Sequence, residues 1–251
     1  MGGLNDIIYL MGRTLEAASI LPFMTGYIRR THIPEPYRVI YYYVGIKVGL
    51  YVLDIISRAT VRNNIYIFHI TTVTSVVVFG YFYARCTNSD TIKKVIKMLI
   101  LVFLIIAVID AVFLNKIFIN VNSYSQGFGS LILVSAAMYH IFILSQSELL
   151  LDKQPGFFFS IAVLLYFSYS IVTYVVSNII YNSGYDKATT IQLDRLISAP
   201  DALLYAVHMG LLAWMFSFFP LCVNPRQALP YWLHYSRWKK PSYKLLGNKI
   251  L

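Results

Sequence analysis

Apolar residues in this chain come in long unbroken runs, not in alternation. Seven runs cover roughly residues 6–27, 39–57, 64–83, 97–115, 128–147, 157–180 and 201–222, with short polar breaks between them. Each is close to the ~20 residues that a helix needs to cross hydrocarbon about 30 Å thick. Lipid offers an open backbone no hydrogen bonds, so segments of this kind are helices. Strands of a membrane barrel would alternate apolar and polar over about 10 residues, and these runs do not. The pattern predicts an all-α membrane protein, a seven-transmembrane-helix antiparallel bundle, because short connections make successive helices antiparallel neighbours.

The breaks carry their own signals. Thr31-His32-Ile33-Pro34-Glu35-Pro36 is stiffened by two prolines and predicts an extended connection. Asn88-Ser89-Asp90-Thr91 predicts a helix start with Ser89 or Asp90 as cap. Asn122 to Gly127 is a turn-rich approach to the fifth helix, and Pro155-Gly156 breaks the chain before Phe157. Residues 181–200 read as a polar loop, with Pro200 opening the seventh helix. Two regions follow: a transmembrane domain over 1–222 and a basic, aromatic cytoplasmic tail over 223–251. The first run lacks a basic leader and is followed by Tyr27-Ile28-Arg29-Arg30 without a small-residue cleavage site, so it reads as a retained helix.

Composition agrees with a membrane solvent. Hydrophobic residues make up 58% and charged residues 13%, against about 25% charged in soluble domains. The 21 tyrosines suit helix ends at the bilayer interface.

Charge predicts the orientation. One side of the seven-span arrangement carries Arg29, Arg30, Arg38, Arg85, Lys93, Lys94, Lys97 and Lys153, and in the tail Arg226, Arg237, Lys239, Lys240, Lys244 and Lys249. The other side carries Arg58, Arg62, Lys116, Lys187 and Arg195. Positive residues stay in the cytoplasm, so the amino terminus is expected outside and the carboxyl terminus inside. The net charge of +10 then reflects topology and attraction to anionic headgroups, and no nucleic-acid partner is expected. Cys86 and Cys222 both fall on the cytoplasmic side, where unpaired thiols stay reduced.

Ionisable residues inside spans are costly and mark candidate sites. They are Arg13 and Glu16 in the first run, Lys47 and Asp54 in the second, His69 in the third, Asp110 in the fourth, His140 in the fifth and His208 in the seventh. At 1.5 Å per residue, all but His140 fall at mid-depth or in the outer half. A polar cluster facing the bundle interior there is the main expectation. Arg13 and Glu16 can pair three residues apart, and Lys47, Asp54 and Arg58 share one helical face. Two roles stand side by side: pairing that pins helix contacts, or a water-accessible pocket that binds a ligand or carries protons.

No metal-ligand spacing, nucleophile elbow or phosphate loop accompanies these residues, so no metal, cofactor or catalytic role is expected. Helix seven has no lysine for a retinal-type Schiff base. Gly45 and Gly49 form a GxxxG, which serves dimerisation or internal packing. In the tail, Trp232, Arg237, Trp238, Lys239 and Lys240 read as an interfacial segment on the inner leaflet, or as a docking element for a protein partner.

Several short stretches carry a resemblance. They are Phe68-His69 with Thr72 in the third helix, Asn122-Ser123-Tyr124 before the fifth, and Leu165-Tyr166-Phe167-Ser168 with Ser177-Asn178 in the sixth. Across about residues 64–180 the chain resembles a family of seven-helix inner-membrane proteins common in Bacteroidetes. Ser75 and Gly129 stand where that family's pattern has glutamates. The resemblance implies the fold and a multi-pass place in the bacterial inner membrane, and brings no activity with it. The sequence thus leads to a non-enzymatic, sensor-like or accessory subunit, with a small secondary transporter or proton-coupled carrier as the alternative. Expected partners are the lipid bilayer, a membrane or cytoplasmic protein, and a small-molecule ligand the sequence does not name.

Overall fold

The computed structural model describes residues 14–221, which are helical with no strand among them. Residues 14–16 are helical and pass through a 3-10 turn, Ala17–Ser19, into α1, Ile20–Tyr27. Then follow α2 (Glu35–Thr60), α3 (Ile65–Cys86), α4 (Asp90–Ile109), α5 (Ser123–Ser145), α6 (Pro155–Asn182) and α7 (Lys187–Ser217). Six stretches, from Glu35–Thr60 to Ala188–Ser217, are long and apolar enough to cross a bilayer. This is a multi-pass membrane protein. Residues 6–13 of the first run, Arg13 among them, lie outside the described residues. So do Cys222 and the tail with Trp232, Arg237, Trp238, Lys239 and Lys240.

The helix ends follow local chemistry. Pro34 is extended, but Glu35 and Pro36 already belong to α2, since a first-turn proline lacks only an N–H that would go unpaired there. Ser89 caps α4 by accepting from the Ile92 N–H. At its far end α4 widens into a π turn, Asp110–Leu114, closed by the Asn115 N–H bonding Asp110 O at 2.8 Å. Such turns concentrate at functional sites.

Residues 181–200 depart from the expected loop. Only the short turn through Gly184, at φ +73°, separates α6 from α7, and Pro200 lies inside α7. A mid-helix proline has no N–H for the carbonyl four residues back, here Leu196 O. On the same turn Ile197 O accepts a 3.1 Å bond from Tyr169 OH on α6. Asp186 caps the new start through the Ala188 and Thr189 N–H groups. The cap and the contact with α6 hold the turns around the proline, so the helix runs through it.

α1, α2, α3, α5, α6 and α7 pack in a closed order, α7 meeting α1 again, while α4 leans on α3 and α5 from outside. The ends of the bundle are named here for Asn64 and Pro34, which sit at opposite ends of the α2–α3 pair. Close approach is set by glycine: a Cβ at Gly129 would lie 2.6 Å from Val76 Cγ2 and 2.8 Å from Phe103. The core from mid-bundle to the Pro34 end is aromatic. Phe159 stands edge-on to Phe79 at 5.0 Å and to Phe82 at 4.5 Å. Leu101, Ile105, Val108, Val112 and Phe113 cover the outer face of α4 and are exposed. In lipid such a face needs no protein cover.

Candidate functional site

The intramembrane polar residues fall into two groups towards the Asn64 end, a third at mid-bundle and one pair near the other end. The first group joins the start of the chain to α2 and α3. Arg58 Nη2 lies 3.1 and 3.0 Å from the two carboxylate oxygens of Glu16 and also pairs with Asp54, one turn back on α2. Asn64 donates to Asp54 Oδ1 at 2.7 Å. The shared face of Asp54 and Arg58 holds as a pair. Glu16 is held by Arg58 from another helix.

The second group joins four helices, α3 to α6. Asp110 is fully buried at the π turn. One oxygen accepts from Asn115 Nδ2 and the other from the Ser125 N–H, the latter at 2.8 Å. Ser123 Oγ collects Asn115 at 3.3 Å and Asn178 of α6 at 3.0 Å. Next to it, Asn122 donates to Thr72 Oγ1 at 2.7 Å, Thr72 donates to Gln126 Oε1, and Gln126 Nε2 donates to Ser170 Oγ at 2.8 Å. His69 Nε2 donates to Asn120 O at 3.2 Å. The bonds form an almost continuous chain from α4 to α6. Beside it, between α5 and α6, is an open groove of about 500 Å³ lined by Ser123, Tyr124, Val175, Asn178, Ile179 and Ser183.

The third group sits between α2, α6 and α7. The Lys47 ammonium lies 5.1 Å from the centre of the Tyr205 ring, a cation–π contact. It is within charge range of Asp201 and Glu16. His208 is buried, and its Nδ1 donates to Ala162 O at 2.8 Å. Its ring is flanked by Tyr166, Phe79 and Phe167 at 5.2, 6.1 and 6.0 Å. Lys47 therefore turns to α7 and does not join Asp54. Of the six described candidates, Glu16, Asp54, His69 and Asp110 lie towards the Asn64 end, while Lys47 and His208 lie at mid-bundle. His208, bonded to Ala162, sits deeper than the sequence suggested because α7 begins at Lys187 and not near residue 201.

Towards the Pro34 end, His140 Nδ1 bonds Ser160 Oγ at 2.8 Å, against Phe82 and Tyr83. Among the described residues no three His, Cys, Asp or Glu side chains gather as a metal site. No family model, no curated protein and no solved structure matches this chain.

Two kinds of site residue escape a reading based on formal charge. One is the amides and hydroxyls: Asn64 in the first group, and Asn115, Asn122, Gln126, Thr72 and Ser170, which carry most of the second. Thr72 and Ser170 are polar positions inside apolar runs, and that was their signal; Asn64 and Asn115 stand at run edges, and Asn122 and Gln126 lie in the stretch read as a turn. The other is Asp201, hidden because its surroundings read as a loop boundary.

Proposed function

We propose that the chain is a seven-span inner-membrane protein of bacteria, amino terminus outside, acting without catalysis as a sensor-like or accessory subunit. The observation that carries the reading is the division of its interior. Hydrogen-bonded polar groups crowd the Asn64 end, and interlocked aromatic rings dominate the middle and the other half, where His208 and His140 are each bonded singly. The ring of contacts that α1 closes between α2 and α7 supports the seventh span. The charge asymmetry supports an outward-facing Asn64 end.

A carrier needs polar groups along its whole path. Here Phe79, Phe82 and Phe159 stack beside His208 and interrupt the line of polar groups. Polar groups gathered at one end suit recognition at one face and a response through helix packing or a bound partner. Native pull-down from membranes in mild detergent tests this and should return the chain with a stoichiometric partner. Recovery of the chain alone, together with proteoliposome uptake abolished by Asp110→Asn, would favour the carrier.

A further inference from the structure

Asp201, Tyr205 and His208 stand at positions i, i+4 and i+7 of α7, one stripe on a single face. Across from it, Lys47 of α2 rests on the middle member, Tyr205, and is within charge range of both the others. Three polar groups thus face one another, and each is left incomplete. Asp201 Oδ1 is buried without a hydrogen-bond partner, and so is His208 Nε2. The Ala162 carbonyl can only accept, so Nδ1 of His208 carries the proton, and Nε2 of the neutral ring presents a lone pair. Among the described residues no acceptor hydrogen-bonds the Lys47 ammonium, and no direct ion pair closes between it and Asp201. Glu16, the other carboxylate in range, is occupied by Arg58.

We propose that Lys47, Asp201 and His208 frame an internal site for a small zwitterion, an α-amino acid or a molecule built like one. Its carboxylate meets Lys47, its ammonium meets Asp201, and a further donor reaches His208 Nε2.

A charge pair in low dielectric offsets its desolvation only when the remaining lone pairs and protons are also bonded. Lys47 and Asp201 have the opposite signs of such a pair without the contact or the bonds. A guest carrying both signs completes each of them and leaves the site neutral. A lone anion or cation would complete one and add net charge to the membrane interior. Tyr166 and Tyr205, 5.8 Å apart, give the apolar part of the guest an aromatic wall. The Phe79 ring packs against His208, with ring centres 6.1 Å apart. The site deepens the sensor-like reading, since it supplies a ligand, and it rests on the Asn64 end facing an aqueous compartment.

The test is thermal melting of the purified full chain in detergent with each common α-amino acid, and with acetate, ethylamine and the two together. At least one amino acid should raise the melting temperature saturably, while the half-ligands, alone or combined, do not. Asp201→Asn keeps the shape and removes the charge, and should weaken that amino acid by about tenfold or more. No shift with any amino acid would overturn the proposal, and the wild-type panel decides this even where the variant fails to fold. A shift matched by acetate, or undiminished binding to Asp201→Asn, would overturn it too. Zwitterion binding by a chain purified without a partner would uphold the site and refute the accessory-subunit reading. A partner without zwitterion binding would do the reverse.

Discussion

Arg58 on α2 and Glu16, just ahead of α1, hold each other through both carboxylate oxygens, at 3.1 and 3.0 Å. The same guanidinium also neutralises Asp54. One cation thus ties the start of the chain to α2, and through the Asn64–Asp54 bond to α3. Arg58→Met leaves two carboxylates facing each other. Both partners of the Glu16 pair are partly exposed, 28% and 42%, so the cost falls between that of a surface and a buried pair, about 2 kcal/mol. SDS unfolding titrations of the purified variant measure it, and an unchanged midpoint would refute the role given to Arg58.

Asp110 accepts from two donors, Asn115 Nδ2 and the Ser125 N–H. Asp110→Ala leaves the Ser125 N–H buried without its acceptor and Asn115 Nδ2 with only Ser123 Oγ, and should cost roughly 3 kcal/mol. Asp110→Asn keeps an acceptor for one of them and should cost less. The order Ala worse than Asn, read from the same titrations, separates a hydrogen-bonding role from a purely spatial one. Equal losses would contradict it.

Glycines in this bundle are not interchangeable. A methyl at Gly129 meets Val76 and Phe103 well inside contact distance, so Gly129→Ala forces helices apart at a cost of about 1–3 kcal/mol. A methyl at Gly49 meets nothing within 4 Å. Gly49→Ala should leave the monomer's stability unchanged, and a loss of dimer on native gels without a loss of stability would assign the GxxxG to association. Comparable destabilisation by both substitutions would count against the packing described.

The start of α7 depends on pH. The Thr189 side chain, and then the Thr189 and Ala188 backbone N–H groups, hold the Asp186 carboxyl below its ordinary range. The cap is complete above that ordinary range and is lost as pH falls through the lowered folded value. Hydrogen exchange at Ala188 and Thr189 should therefore quicken, relative to mid-helix amides, in acid below the usual carboxylate range. Asp186→Asn should show no such acid step. An acid step that survives the substitution would assign it to another group.

The crossing helices were legible because runs such as 64–83 and 128–147 have one physical explanation in lipid. The first 14 residues of α7 were not. Asp194, Gln192 and Pro200 read as loop, and their helix depends on contacts no local pattern carries, Tyr169 with Ile197 O and Ser177 with Asp194. The same limit governs the candidate site. Spacing placed Asp54 and Arg58 together because they share a helix. The contacts of Glu16 with Arg58 and of Lys47 with the α7 stripe join distant segments, and periodicity is silent on them. Among the uncharged polar groups, Thr72 stands in an apolar run as visibly as Asp110 does, but formal charge alone had marked the candidates.

Seven spans with the start outside, as proposed, put the end of the chain inside, and reporters fused after Leu251 measure this most directly. Green fluorescent protein there should glow and alkaline phosphatase there should stay inactive, while phosphatase fused in the 115–122 connection should be active. Active phosphatase after Leu251, with a dark fluorescent fusion, would contradict the account.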